Sequence, residues 1–278
     1  MRKLFVCIAL GLTTLTGNAA SPLWMRDVQI SPDGTEIAFC YKGDIYKVSA
    51  GGGTAIQLTT QPSYECTPIW SPDSKQIAFA SDRNGNFDIF VMPATGGTAQ
   101  RLTTHSSSEL PSAFTPDGKY ILFSASIQDP SQSALFPTTA MTELYKVPVN
   151  GGRTEQVLGT PAEAVCYAPS GEFFLYQDRK GFEDEWRKHH TSSITRDIWL
   201  YDTKTGKHTN LTNHAGEDRN PVLSPDGKSV YLLSERKGSF NVYSFPLDNA
   251  QDLKAVTSFK THPVRFLSMS HGGTLCYA

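Results

Sequence analysis

The sequence predicts an all-β fold, a β-propeller of four-stranded blades of the six-bladed type, with the sixth blade incomplete in this chain. Three observations predict it: a turn of the Pro-Asp-Gly type that recurs six times, an aliphatic and aromatic run after each turn, and no helical hydrophobic period. The units read SPDGTEIAF from Ser31, SPDSKQIAF from Ser71, TPDGKYILF from Thr115, APSGEFFLY from Ala168, SPDGKSVYL from Ser224 and SHGGTLCYA from Ser270. They start 40, 44, 53, 56 and 46 residues apart, a spacing typical of propeller blades.

The second unit shows the four strands of one blade most plainly. Its predicted elements are strand A at 67–70, the turn at 71–74, strand B at 76–80, strand C at 88–92 and outer strand D at 100–103. Proline sets φ at the first central position of the turn, and the following aspartate can bond its own backbone. The same offsets recur along the chain and predict blades at about 22–60, 61–104, 105–160, 161–213 and 214–258, with a partial blade at 259–278.

The N-terminal 20 residues differ from the repeats. Met1-Arg2-Lys3 is a charged start, residues 4–15 are a short apolar segment, and residues 17–20 are small. This order is typical of a secretory signal peptide and is too short for a transmembrane helix. We therefore expect an exported, periplasmic protein whose mature chain starts near Ser21.

Composition excludes some classes of partner. The chain of 278 residues is 39% hydrophobic and carries a net charge of −2, so it can bury a core and offers no basic surface for nucleic acid or an anionic membrane. Four cysteines follow the signal segment: Cys40, Cys66, Cys166 and Cys276. Export permits disulfides, but spacing identifies no partners, and buried thiols are the favoured interpretation.

Two blades contain extra residues at one position. Blades 3 and 4 have long loops between strands B and C, at 127–142 and 180–196. In a four-stranded blade, the B–C loops and the D–A loops between blades emerge on the same face. We therefore expect contacts with partners on this face.

Acidic residues recur in the D–A loops on the same face. They are Glu65, Glu109, Glu163 and Asp218. One hypothesis is a peptide-binding rim, whose negative potential attracts a peptide amino terminus or a basic ligand. The alternative, which we favour, is that each acid caps backbone amides or pairs with a local arginine such as Arg219. An acid-arginine pair also follows strand B in three blades (Asp82-Arg83, Asp178-Arg179 and Glu235-Arg236) and is interpreted as a repeated salt bridge at the B–C turn.

The sequence predicts no catalytic residues, no metal site and no cofactor. The run from Asp82 to Asp88 has the alternation of a calcium loop, but its glycine is misplaced and Pro93 stands where a bidentate Glu is required. His189-His190 lacks the accompanying ligands of a metal site. No serine and histidine are placed by sequence as nucleophile and base.

The repeat as a whole resembles that of known propellers. The unit W-S-P-D-x-K-x-I-A-F, then D-I-F-V, G-G and R-L-T, is similar to the repeat shared by the Tol-Pal periplasmic propeller and tricorn proteases. The run from Leu23 to Thr104 and the segment TELYKVPVNGG resemble the first propeller of tricorn-type peptidases most. That resemblance implies a longer serine peptidase with a second propeller, a PDZ-like domain and a C-terminal core that holds its catalytic Ser and His. No catalytic residue is therefore carried over to this chain.

The leading functional hypothesis is a non-catalytic propeller domain of an exported tricorn-like serine peptidase, a hydrolase, that gates or binds peptides for that core. The expected partners are peptides or proteins and the remainder of the same polypeptide; nucleic acid is not expected, and a homo-oligomer is left open. The alternative is a stand-alone periplasmic binding propeller of the Tol-Pal type. That family is similar in carrying an α/β domain before its repeats, whereas here the repeats begin close to the signal segment. Nothing in the chain indicates the α/β-hydrolase of prolyl oligopeptidases.

Overall fold

The computed structural model describes residues 24–127, 141–181 and 192–278, and within these ranges the chain folds into five four-stranded antiparallel sheets and one two-stranded sheet. The strands A to D of the five blades are β1 (Arg26–Ile30), β2 (Glu36–Tyr41), β3 (Asp44–Ser49) and β4 (Ile56–Gln57); β5 (Glu65–Trp70), β6 (Gln76–Ser81), β7 (Asp88–Pro93) and β8 (Gln100–Arg101); β9 (Glu109–Phe114), β10 (Tyr120–Ala125), β11 (Glu143–Pro148) and β12 (Glu155–Leu158); β13 (Ala162–Tyr167), β14 (Phe173–Asp178), β15 (Ile198–Asp202) and β16 (His208–Asn210); β17 (Asp218–Leu223), β18 (Ser229–Ser234), β19 (Asn241–Pro246) and β20 (Lys254–Ala255). The two-stranded sheet is β21 (Ser268–Met269) and β22 (Leu275–Cys276). The predicted all-β propeller of four-stranded blades is confirmed.

The strands A form the inner wall of a ring. Each of β1, β5, β9 and β13 contacts the strand A of the next blade, and β21 contacts both β17 and β1. The Ile30 amide donates to the Ser268 hydroxyl (3.1 Å), and the His271 amide donates to the Pro32 carbonyl (2.8 Å), so the last sheet is bonded to the first blade. The ring is therefore continuous around a central axis.

The number of blades differs from the prediction. The structure has five four-stranded blades, whereas the sequence predicts a six-bladed type. The segment after blade 5 pairs only two residues in each strand, Ser268 with Cys276 and Met269 with Leu275. Its turn lacks the proline of the other five turns and the aspartate of four of them, so no serine-to-aspartate bond forms here, although Ser270 Oγ still accepts a hydrogen bond from the Thr274 amide (3.1 Å). A sixth, incomplete blade is not confirmed and stays a prediction.

The repeated turn is held by its own side chains. In blade 2, Ser71 Oγ donates to Asp73 Oδ1 (2.7 Å) and accepts a hydrogen bond from the Gln76 amide (2.9 Å). The same serine or threonine to aspartate bond joins Ser31 to Asp33, Thr115 to Asp117 and Ser224 to Asp226. These bonds lower the pKa of the aspartates, since they stabilise the charged form. The motif thus fixes the A–B hairpin on the side of the ring away from the B–C loops.

A threonine anchors the end of strand D in four blades. Thr59 Oγ1 accepts a hydrogen bond from the Ile45 amide (2.9 Å), while the adjacent Leu58 amide donates to the Ile45 carbonyl (2.8 Å). The equivalent threonine bonds are Thr103 to Ile89, Thr212 to Ile198 and Thr257 to Val242. This bonding explains why a Leu-Thr or Val-Thr pair marks strand D in the sequence.

The hydrophobic core lies between successive blades. Ile77 and Phe79 of blade 2 pack with Ala38 and Ile45 of blade 1, and all four are almost completely buried. Similar clusters lie at each following interface, the last joining blade 5 to Val264 and Leu267. Burial of each large side chain contributes roughly 2 kcal/mol, so every blade depends on its neighbours for stability.

The remaining expectations for the chain have these outcomes. Cys40, Cys66, Cys166 and Cys276 are free thiols; Cys40 is buried, as the favoured interpretation predicts, and the other three are half-buried. The predicted signal peptide at 1–20 lies outside the described residues. In the parts of the chain that the structure describes, no helix has the length and apolar character that crossing a membrane requires.

Replacing Thr59 with valine tests the strand D anchor. Valine keeps the shape but removes the acceptor, so the buried Ile45 amide loses its partner; we expect unfolding free energy to fall by about 1–3 kcal/mol. Chemical denaturation measures the change. Thr60→Val, at the exposed next position, is the control and should change stability by less than about 0.5 kcal/mol. Equal effects of the two variants would contradict the anchor.

Candidate functional site

A cavity of about 600 Å³ occupies the axis of the ring. Its walls come from strand A of all five blades, from the D–A loop of blade 3, from the ends of strands B and the B–C connections of blades 3 to 5, and from residues 264–266 before β21. It lies toward the face where the D–A loops enter and the B–C loops leave. This is the face on which the sequence predicts contacts with partners.

Bulges in the strands A shape the wall of the cavity. Strand pairing shifts by one register step between Cys66 and Ile69, and it shifts at corresponding points in the other blades. Five bulge or wall residues have left-handed backbone: Asp27 (φ 52°), Thr67 (49°), Ala164 (48°), Asn220 (51°) and Phe266 (55°). All five line the cavity. Non-glycine residues rarely adopt this conformation, and they cluster where the surrounding structure imposes it.

Hydrogen bonds between neighbouring blades hold the bulges. The Thr67 amide donates to Asp27 Oδ2 (3.0 Å), and the Val165 amide donates to Ser112 Oγ (2.7 Å). The Asn220 amide donates to Gln177 Oε1 (3.0 Å). In blades 2, 4 and 5 the bulge thus exposes a backbone amide that a side chain of the preceding blade binds.

The predicted rim acid Glu65 is buried, and one of its two carboxylate oxygens accepts hydrogen bonds from neighbouring side chains. Its side chain is 0% exposed, and Oε1 accepts hydrogen bonds from Ser81 Oγ and Arg83 Nη2, both at 2.9 Å. Ser81 is the cross-strand partner of Glu65, and Arg83 lies two residues further along. Arg83 also lies over the Phe90 ring at 4.4 Å, which fixes its guanidinium.

The same arrangement recurs in blades 4 and 5. Arg179 Nη1 lies 2.9 Å from Glu163 Oε1, and Arg236 Nη2 lies 2.6 Å from Asp218 Oδ2. In each blade the arginine stands two residues after the cross-strand partner of the acid. The acids at the start of strand A and the acid-arginine pairs after strand B are therefore parts of one interaction, because each arginine pairs with the strand A acid of its blade. The acid next to the arginine has another role in blade 2, where Asp82 accepts a hydrogen bond from the Tyr64 amide (2.7 Å).

Blade 3 lacks this arginine. The cross-strand partner of Glu109 is Ala125, and two residues later the chain has Ile127. Glu109 is 1% exposed, and its Oε2 has no hydrogen-bond partner among the described residues. The pKa of Glu109 is raised to about 7: burial is the main cause and the nearby Asp88 carboxylate adds to it, whereas a hydrogen bond from Thr103 and the charge of Arg101 act against it.

The structure brings one of the four predicted rim acids to the cavity. Glu163 lines it, and its side chain is 18% exposed. Glu65, Glu109 and Asp218 lie in the wall and are almost completely buried. Each of Glu65, Glu163 and Asp218 pairs with an arginine, although not with Arg219. A role of the four acids in binding peptides stays a prediction.

Sequence reasoning missed the basic residues of the cavity. Arg179, Arg196, Arg219 and Arg265 all line it. A signal was present, because Arg219 directly follows the strand A acid Asp218, and Arg196 closes the long loop of blade 4. These arginines are scattered in sequence, and only ring closure brings them to one place.

Much of the two long loops lies outside the described residues, and so does His189-His190. The residues of the apparent calcium pattern make bonds within the fold: Asp88 pairs with Arg101 at 2.7 Å, and the Asn86 side-chain Nδ2 donates to the backbone carbonyls of His105 and Ser107. Across the described ranges, no group of three or more His, Cys, Asp or Glu residues is arranged to hold a metal ion.

Fold and cavity together define a propeller with a central chamber. The chain belongs to the tricorn protease family: the family model described as the tricorn protease N-terminal beta propeller domain matches residues 22–278. It is also 32% identical over 72 residues to an uncharacterised peptidase, YuxL, of Bacillus subtilis (strain 168), in a match that covers 26% of this chain and 10% of YuxL.

Two solved structures share the fold. The crystal structure of the tricorn protease matches with a TM-score of 0.77 and 20% identity, over 93% of this chain and 24% of that chain. A putative TolB from Agrobacterium tumefaciens matches with a TM-score of 0.70 and 18% identity, over 93% of this chain and 91% of that chain. The chain thus spans about a quarter of the tricorn protease and a tenth of YuxL.

Glu109→Gln tests the strand A acid of blade 3, which lacks the arginine partner found in blades 2, 4 and 5. A pKa of about 7 in the folded state means that Glu109 stabilises the fold below about pH 4.5, and that this contribution is lost as pH rises through 7. From pH 5 to pH 8 the glutamine variant should therefore gain about 2–3 kcal/mol relative to the unchanged protein. Denaturant unfolding at both pH values measures this gain. Glu155→Gln, at an exposed site, is the control, and a gain no larger than its own would contradict the assignment.

Arg83→Gln tests the buried pairs of strand A. Loss of the guanidinium leaves the Glu65 carboxylate buried without a counter-charge, so the unfolding free energy should fall by about 3 kcal/mol. Lys254→Gln removes an exposed pair with Asp252 and should cost less than about 1 kcal/mol. Thermal or urea unfolding compares the two. A cost for Arg83→Gln as small as that for Lys254→Gln would refute the role given to the pair.

Proposed function

We propose that this chain is a non-catalytic propeller domain of an exported, tricorn-like serine peptidase, and that it binds or gates peptides for a peptidase core elsewhere in the same polypeptide. The single observation that carries the proposal is the axial cavity of about 600 Å³, which opens on the face of the B–C and D–A loops. Membership of the tricorn protease family supports the link to a peptidase. Concave sites of this volume suit small ligands and short peptide segments.

The domain limits form part of the proposal. Residues 1–20 act as a signal peptide, and residues 21–278 form the propeller. In this account β21 and β22 are strands A and B of a sixth blade. Their place between β17 and β1 supports that assignment, because a propeller shields its edges by closing on itself.

A stand-alone binding propeller is the second candidate. One observation favours it: this chain covers 91% of the putative TolB structure, so a chain of this size can be nearly a whole protein of that fold. The open reading frame beyond residue 278 distinguishes the two. A second propeller, a PDZ-like domain and a serine peptidase core would support the first proposal, and a stop codon shortly after residue 278 would support the second.

Filling the cavity tests peptide binding. Ser108 lines the cavity and is exposed, so Ser108→Trp should narrow it without disturbing the core. We expect the affinity for unstructured peptides of about ten residues, measured by isothermal titration calorimetry, to fall at least about tenfold. Ser170→Trp, in the exposed A–B turn of blade 4, is the control and should leave affinity unchanged. Peptide binding that is equal in both variants would contradict a role for the cavity.

A further inference from the structure

Strand A of blade 3 departs from the other inner strands at its bulge. Each of the five left-handed wall residues stands four positions before the first residue of the repeated turn, as Thr67 stands before Ser71. In blade 3 this position holds Pro111. A proline ring fixes φ near −65° and removes the N–H, so Pro111 neither adopts the left-handed backbone nor donates a hydrogen bond. The bulge differs accordingly, because strand A of blade 3 skips a single residue, Ser112, where that of blade 2 skips two.

The junction of blades 2 and 3 therefore lacks a bond that other junctions have. At the junction of blades 1 and 2, the Thr67 amide at the bulge donates to the side chain of Asp27 (3.0 Å). Pro111 has no N–H with which to make the equivalent bond. Strand A of blade 3 is held to blade 2 at its first residue instead, where the Glu109 amide donates to the Phe87 carbonyl (2.8 Å).

Two buried carboxyl groups meet at the same junction. Asp88 at the start of strand C is 0% exposed, and Glu109 is 1% exposed. Arg101 lies 2.7 Å from Asp88, and Thr103 donates a hydrogen bond to Glu109. One guanidinium group thus serves two desolvated acids, and two like charges in such a site disfavour each other.

The charged groups on the elements around Glu109 are otherwise engaged. Toward blade 2, Arg83 pairs with Glu65 at 2.9 Å, and toward blade 4, Arg179 pairs with Glu163 at 2.9 Å. Each of these arginines also stands at the B–C turn of its own blade, beyond the cross-strand partner of its own acid. Ionisation of Glu109 therefore adds a buried charge that the neighbouring blades do not offset.

The chain next to Glu109 forms part of the cavity wall. Residues 106–108 and Leu110 line the cavity, and most of residues 104–110 are exposed. The one further titratable group in this segment is His105, whose Nδ1 accepts a hydrogen bond from the Ser107 amide (3.0 Å). Protonation of His105 would remove that acceptor, so His105 would loosen the segment as pH falls.

We propose that residues 104–111 form a proton-dependent hinge in the cavity wall, closed while the Asp88 and Glu109 carboxyl pair holds a proton and loosened when both carboxyl groups are charged. In the closed state the pKa of Glu109 is about 7, against an ordinary value of 4.5. The closed state is therefore fully favoured below about pH 4.5, and this preference is lost as pH rises through 7. The direction is opposite to that expected for His105, and the hinge does not depend on which ligand the cavity takes.

Hydrogen–deuterium exchange of the folded chain at pH 5 and pH 8 tests the hinge. With rates corrected for intrinsic exchange, we expect protection of the segment 104–112 to fall about 10- to 100-fold between these pH values. The segment 60–68 is the internal control: the Glu65 amide donates to the Gly43 carbonyl (2.7 Å) as the Glu109 amide does to that of Phe87, but Glu65 has its arginine. Its corrected protection should change less than about threefold.

Two sets of variants identify the group that titrates. Glu109→Gln should keep the segment 104–112 protected at both pH values. Ile127→Arg places a guanidinium where blades 2, 4 and 5 have theirs, and should raise protection at pH 8. Ile127→Gln is its matched control, because it loses the same apolar packing without adding a charge, and should keep the full pH dependence. Thermal unfolding checks that each variant is folded.

Three outcomes would overturn the hinge. An equal fall in protection of both segments would mean that the whole ring loosens. A pH dependence that survives Glu109→Gln would assign the effect to another group, and higher protection at pH 8 than at pH 5 would assign it to His105. Equal effects of Ile127→Arg and Ile127→Gln would reject the missing counter-charge as the cause.

Discussion

A buried carboxylate near the start of the inner strand needs a counter-charge, and in three blades an arginine beyond the second strand supplies it. The geometry of an antiparallel pair places that arginine within reach, because it stands two residues after the cross-strand partner of the acid. Desolvating a charge without a partner costs several kcal/mol. The pair therefore fixes where strand A begins and where the B–C loop leaves, and these two points set the wall of the axial cavity.

In blade 3 the strand A acid has no such arginine partner. With Ile127 in place of the arginine, Glu109 is buried among Thr103, Asp88 and Arg101, and its pKa rises to about 7. The neighbouring wall of the cavity is made of serines, and the long loop that follows β10 begins here. Arg179 and Arg196 of blade 4 and Arg219 of blade 5 line the same cavity. The blade that lacks the arginine is therefore also the blade whose part of the cavity wall consists of serines.

The repeats predict most of the fold because every blade carries the same local signals. Strand bounds of blade 2 agree within about two residues, since the turn around Ser71 and the Leu102-Thr103 marker are each held by local hydrogen bonds. For the candidate site, the sequence predicted only the face of the ring on which it lies and the acidic residues of its wall. Its arginines come from distant parts of the chain. For Glu65 the sequence left open a ligand group or, as the favoured interpretation, a partner of a local arginine, and in the structure Glu65 is buried and paired with Arg83.

The most direct measurement of the central claim, that ligands bind in the axial cavity, is a crystal structure of the chain with the peptide used for the binding measurement. The account predicts peptide density along the axis, against the left-handed bulge residues that line the cavity. A peptide bound at the outer strands, with the same cavity empty in saturated crystals, would contradict it.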